Sequence, residues 1–195
     1  MLIIDIETYR NLDRPDFLKY KLGDVSAPSN YKDPEKIAQY KAEQSAKLLE
    51  KAALSPLTGK IILIGMKKDD EPFNYLGLSS TSHGINNPDE KAMLQIFWDI
   101  LFNNADIIYT YNGKEFDFPF IFARSLLLGV KPTISWNELT NKHNNKVHVD
   151  LSQLLGEGKL QEWSYLLGET NTLASEGNMV DEWYGVGNYQ AIIDH

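Results

Sequence analysis

The sequence predicts a mixed α/β fold, a five-stranded sheet flanked by helices, on three observations. Two apolar runs rich in β-branched residues, ending at Ile6 and Met66, suit buried strands. Residues 34–53 and 90–101 carry helix formers with apolar positions at helical spacing. From residue 88 onward, helix-like and strand-like stretches alternate. A length of 195 residues buries one sizeable core, so residues 1–195 are expected to form a single domain.

The chain opens on Met1-Leu2-Ile3-Ile4-Asp5-Ile6-Glu7, read as the first strand. Period-two alternation sends Asp5 and Glu7 to one face, on the order of 7 Å apart over two strand rises. Like charges closing an apolar strand need hydrogen-bond donors or a cation between them, and a hard divalent cation fits that need. A strand running out into solvent can end the same way, so the pair alone does not decide. Residues 9–31 carry Asn11, Asp13, Pro15, Gly23, Pro28, Ser29 and Asn30 and read as irregular connection. Asp33-Pro34-Glu35 then offers an N-cap and a proline at the first helical position. Residues 9–59 are thus expected to be a loop-plus-helix insertion between the first two strands. The lysines at 32, 36, 41, 47 and 51 are interleaved with glutamates and read as a solvated face.

Pro56 and Gly59 precede the second strand, 60–66, and residues 71–78 follow the Asp69-Asp70 turn as a weaker third. Three strands in succession suggest an antiparallel meander. Pro88-Asp89-Glu90 opens a helix with acids in its first turn, and Met93, Phe97, Ile100 and Leu101 form its apolar face. Residues 106–112 read as a fourth strand that runs into Asn112-Gly113-Lys114-Glu115-Phe116-Asp117-Phe118-Pro119-Phe120, where a helix begins that stops near Gly129. Residues 131–146 are polar connection, 147–151 a short fifth strand, and Trp163, Leu166 and Leu167 a helix ended by Gly168. Turn formers dominate 169–187, and Tyr189, Ile192 and Ile193 read as a last helix.

Composition narrows the function classes. Hydrophobic content of 43% and charged content of 24% are those of a soluble globular protein. No apolar run reaches the length of a membrane span and no export signal is evident, so no membrane partner and a cytoplasmic location are expected. With no cysteine, disulfide and thiolate chemistry are excluded. A net charge of -8 argues against a clamp that holds nucleic acid by phosphate neutralisation. It leaves room for an enzyme that meets phosphates through metal ions. Thr58-Gly59-Lys60 lacks the flanking residues of a phosphate loop, and Glu7 stands where an Asp-x-Asp phosphatase needs its second aspartate.

Acids fall at element ends: Asp5 and Glu7 close the first strand, and Asp117 lies where the fourth strand turns into its helix. Side chains at such positions converge on one edge of a sheet. Three carboxylates there would hold one or two Mg²⁺ or Mn²⁺ ions, roughly 4 Å apart if two, for in-line phosphoryl displacement.

Asp5-Ile6-Glu7-Thr8 and Asn112-Gly113-x-x-Phe116-Asp117-x-Pro119-Phe120 resemble the first and second motifs of the DEDD 3'-5' exonucleases, especially the proofreading domain of family B DNA polymerases and its stand-alone relatives. The second motif is the specific one. The resemblance implies an RNase H-like fold, with Asp5, Glu7 and Asp117 as catalytic metal ligands. It implies Thr8, Asn112 and Phe116 beside the terminal nucleotide, Phe116 offering a stacking face. The implied substrate is the 3' end of single-stranded nucleic acid, DNA favoured. Phe120 is expected in the core and Asp150 as structural.

The third motif of the family, Tyr-x-x-x-Asp, is not matched, because Tyr189 and Asp194 are one residue too far apart to share a helix face. His195 is then expected at the Tyr/His position, in a domain truncated at its C-terminus that binds metal weakly and degrades nucleic acid slowly or not at all. The alternative is a catalytically inactive RNase H-like domain that binds nucleic acid or a protein partner.

Overall fold

The computed structural model describes residues 1–23, 25–81, 84–86, 89–103, 106–169 and 179–195. In chain order the elements are β1 (Leu2–Arg10), α1 (Pro15–Leu22), α2 (Pro34–Ala52), β2 (Gly59–Lys68), β3 (Asn74–Gly77), β4 (Ser79–Thr81), β5 (Gly84–Asn86), α3 (Glu90–Phe102), β6 (Ile108–Thr110), α4 (Asp117–Leu128), α5 (Trp136–Thr140), β7 (His148–Asp150), α6 (Leu151–Leu155), α7 (Leu160–Leu166), α8 (Met179–Val186) and α9 (Tyr189–Ile193). Five strands form one sheet in the order β3-β2-β1-β6-β7. The expected meander is there, β1, β2 and β3 pairing antiparallel, while β6 runs parallel to β1 and β7 parallel to β6. Among the described residues no helix is long and apolar enough to cross a membrane.

Alternation along β1 buries Leu2, Ile4 and Ile6 on one face. With Ile61, Ile64 and Met66 of β2 they receive Met93, Leu94, Phe97 and Trp98 of α3 and Phe118, Phe120 and Ile121 of α4. Each fully buried side chain of this size contributes roughly 1.5–3 kcal/mol. A smaller cluster joins Tyr9, Ile62, Leu63 and Leu78 to Val180 of α8 and Ile192 of α9, with Trp183, Tyr184 and Tyr189 at its edge. An ion pair of 3.2 Å between Arg10 and Asp181 fastens α8 beside the end of β1.

The β1–β2 register shifts between Glu7 and Thr8, since Glu7 pairs with Leu63 and Thr8 with Ile61. Ile62 is the extra residue, and a bulge of this kind re-aims side chains beside it. The Ile61 amide donates to Glu90 Oε1 at 2.8 Å, and the Leu78 amide donates to the Ile62 carbonyl at 3.3 Å. Gly77, at φ +124°, lets β3 approach so closely that a Cβ would stand 2.3 Å from the Ile62 carbonyl oxygen. Gly77→Ala should therefore destabilise the protein by about 2–3 kcal/mol. A urea midpoint equal to that of the parent would contradict this backbone approach.

Four expectations need correction. Residues 15–22, predicted irregular, form α1: Pro15 opens it and Leu18, at 7% exposure, seats it. A helix this short is held by burial rather than by its own periodicity. Within the polar stretch 131–146, Ser135 and Glu138 make a reciprocal capping box that starts α5. Residues 179–186 form α8, seated by Val180, whereas 170–178 of that predicted turn-rich stretch lie outside the described residues. The fourth strand is confined to β6, and the β4–β5 hairpin was not anticipated.

Candidate active site

β1 carries Asp5 and Glu7 on the face opposite Leu2, Ile4 and Ile6. Its pairing with β6 covers only Leu2–Ile108 and Ile3–Tyr109. Past that point the Ile6 amide has no β6 partner, and it donates to Asp117 Oδ1 at 3.2 Å. Asp117 is the first residue of α4 and only 3% exposed. The structure thus brings the two ends of the predicted trio to one edge of the sheet.

Each acid lies within electrostatic reach of at least one other. Burial, reinforced by the Asp5 and Asp117 carboxylates, pushes the Glu7 pKa up to about 8. Asp117 is likewise pushed up to about 8 by burial and then by Asp5, although its own amide and that of Ile6 favour the anion. Asp5 is accessible to solvent yet crowded by protein. Burial raises its pKa while His195 and the Ile6 amide oppose the rise. None of the three is ion-paired to lysine or arginine among the described residues.

His195 is the terminal-segment residue that acts on this site; its ring meets Trp183 edge-on at 5.9 Å. Tyr189 packs on Tyr184 at 5.4 Å, and Asp194 accepts a hydrogen bond of 2.8 Å from Gln190 Nε2. Thr8 is buried beside the bulge. Asn112 is exposed and Phe116 half-buried, its ring 5.7 Å from that of Phe120, which lies in the core as expected.

Asp150, near enough for its charge to add to the rise at Asp117, is engaged by bonds of its own. Oδ1 accepts from the Asn112 amide at 2.8 Å, the Ser152 amide at 3.1 Å and the Ser152 hydroxyl at 2.8 Å, while Oδ2 accepts from the Lys114 amide at 2.9 Å. Burial opposes its charge, but these donors outweigh burial and hold its pKa below the usual carboxylate range. Sequence reasoning missed two neighbours. Lys114 is buried, its Nζ donating to the Asn144 carbonyl and Asn145 Oδ1 at 3.1 and 2.7 Å. His148 Nδ1 can only donate to the Leu139 carbonyl, so its Nε2 accepts from the Thr110 hydroxyl, which in turn accepts from the Gly113 amide. Neither residue stands out from its sequence neighbours.

Among the described residues no group of three or more His, Cys, Asp or Glu side chains is gathered tightly enough to hold a metal ion. Asp117 is turned onto the Ile6 amide and Asp5 lies toward solvent, so the trio is electrostatically coupled without being closed. The donor set nonetheless fits a hard dication: oxygen ligands only, with a mutual repulsion that a divalent charge reverses. A cleft of about 600 Å³ opens elsewhere, between α1, the Leu57–Ile62 stretch and the end of α4, and none of the three carboxylates lines it.

The raised pKa values set a pH dependence. The folded chain keeps protons on Glu7 and Asp117 between about pH 4 and about 8, where the unfolded chain has lost them, so stability falls as pH rises through that window. For buried Asp117 the slope is at most about 1.4 kcal/mol per pH unit. In chelator, the melting temperature should be several degrees lower at pH 8 than at pH 6, and Mn²⁺ should raise it more at pH 8. A melting temperature that rises over that interval would refute the shifts.

Residues 3–158 match the family described as DNA polymerase family B, exonuclease domain. The chain belongs to that family. The matched span of the exonuclease family takes in Asp5, Glu7, Asn112, Asp117 and Asp150 but not His195. No curated protein matches the sequence. The chain is similar to the solved family B DNA polymerase from the hyperthermophilic archaeon Pyrobaculum calidifontis, with a TM-score of 0.59 and 15% identity. That likeness covers 98% of this chain and 22% of that one, so it shows the fold, and this chain spans about a fifth of that polymerase. The mixed α/β, RNase H-like architecture expected for this exonuclease family is the one found.

Proposed function

We propose that this chain is a metal-dependent 3'-5' exonuclease acting on the 3' end of single-stranded nucleic acid, DNA by preference. The observation that carries the reading is the mutual electrostatic reach of Asp5, Glu7 and Asp117 at one sheet edge in a family of exonuclease domains. In this reading Asp5, Glu7 and Asp117 hold Mg²⁺ or Mn²⁺, two ions in a complete site. When bound, the metal supplies Lewis-acid activation for in-line displacement at the terminal phosphodiester. Thr8, Asn112 and Phe116 line the place of the terminal nucleotide, Phe116 through a ring whose partial exposure leaves a face for stacking. The positive end of the His195 ring favours the Asp5 carboxylate and so supports its anionic, metal-binding form.

The test is a single strand carrying a label at either end, incubated with the 195-residue chain and Mn²⁺. Labelled mononucleotide should leave the 3'-labelled strand from the start of the reaction, slowly, while the 5'-labelled strand shortens stepwise. Binding of the strand without cleavage under every divalent ion tried would replace this reading with a non-catalytic one.

A further inference from the structure

We propose that Asp150 is a positioning residue for the Asn112–Asp117 turn: it sets how Asn112 meets the terminal nucleotide, without itself touching metal or substrate. The inference rests on the exonuclease reading above. Asn112 is held at φ +67°, in the left-handed region that side-chain-bearing residues seldom adopt, and such backbone needs an outside restraint to persist. Asp150 is that restraint. One carboxylate oxygen takes the Asn112 amide and the other the Lys114 amide, a two-point clasp across Gly113. The turn is closed from below as well, because a Cβ on Gly113 would stand 2.3 Å from Thr110 Oγ1. Strand β7 therefore grips the turn twice, through Asp150 directly and through His148 by way of Thr110. With the two Ser152 bonds added, the Asp150 carboxylate takes four protein donors, three on Oδ1 and one on Oδ2, so it is engaged in holding the local backbone. The exposed Asn112 side chain is the part of the turn left to meet a ligand.

Asp150→Asn keeps the shape but leaves one accepting oxygen, so one of the two amides loses its partner. Affinity for a 5'-fluorescent ten-nucleotide single strand with a 3'-terminal phosphorothioate, read by anisotropy in Mn²⁺, should fall about 10-fold or more. Mn²⁺ affinity, measured by calorimetry without nucleic acid, should stay within about 2-fold of the parent, whereas Asp117→Asn loses it. In turnover the defect should fall mainly on KM rather than kcat. Should Asp150→Asn fail to fold, Ser152→Ala removes only a hydroxyl donor to Oδ1 and should weaken strand binding about 2- to 5-fold with Mn²⁺ binding unchanged. Strand affinity unchanged in the folded variant, or Mn²⁺ affinity lost to the same degree as in Asp117→Asn, overturns the inference and leaves the exonuclease reading standing. A parent chain that binds no 3' end overturns both, and is recognised because the failure precedes any substitution.

Discussion

Asp117→Asn is expected to reduce 3'-end release by at least about 100-fold while making the metal-free protein more stable. The two effects have one cause. Asn retains an oxygen that can accept the Ile6 amide at the start of α4, so the junction between α4 and β1 survives. The substitution removes a buried charge that burial and Asp5 already disfavour, and it removes one of the charges that push Glu7 up to about 8. The chelated variant should therefore melt higher than the parent at pH 8 and lose much of the pH slope between 6 and 8. With Mn²⁺ the order should reverse, because one of three proposed ligands is gone. The measurement is a pair of melting curves, with chelator and with Mn²⁺, alongside strand degradation. A variant that degrades the strand at the parental rate would remove Asp117 from the chemistry.

Arg124→Ala should cost about 3–5 kcal/mol, lowering the melting temperature by roughly 10 °C. Arg124 meets Glu90 through two nitrogens, Nε to Oε1 at 2.9 Å and Nη2 to Oε2 at 2.6 Å, and its Nη1 donates to the Pro56 carbonyl at 3.1 Å. The two side chains are 7% and 10% exposed, so truncating the arginine strands a carboxylate away from water. That carboxylate also accepts the Ile61 amide next to the bulge, so the strain is passed to the backbone opposite Thr8. Replacing both partners with apolar residues, Arg124→Met with Glu90→Leu, should recover only part of the loss, since neither charge is then left buried alone but the Ile61 amide and the Pro56 carbonyl lose their partners. A single Arg124→Ala variant that melts within about 1 °C of the parent would show that Glu90 is reached by solvent.

The three acids proposed as metal ligands could be singled out because their signal is local. Asp5 and Glu7 are fixed by strand alternation, and Asp117 by a dense motif of Asn, Gly, aromatic and Pro residues at the head of α4. Phe120 was legible as core for the same reason that Ile121 is: both belong to an apolar helical face. The bulge at Ile62 was hidden, since an extra residue in β2 needs no glycine or proline to announce it. Nothing in the sequence marks Lys114 for burial, since its partners, the carbonyl of Asn144 and the amide oxygen of Asn145, lie some thirty positions away. The clasp by Asp150 was hidden more deeply, because its partners are mainly backbone amides, which every sequence possesses.

The pairing of β1 with β6 has a consequence for folding. Asp5 and Glu7 are neighbours on one strand, whereas the bond that docks Asp117 against Ile6 spans 111 positions of chain. A contact of that separation carries a large loop-closure cost, which the β1–β2–β3 meander and α3 between its ends help to lower. A nascent or partly unfolded chain carries two isolated carboxylates and no assembled site. The three-acid edge is thus a product of completing the sheet and is carried by no fragment that lacks α4.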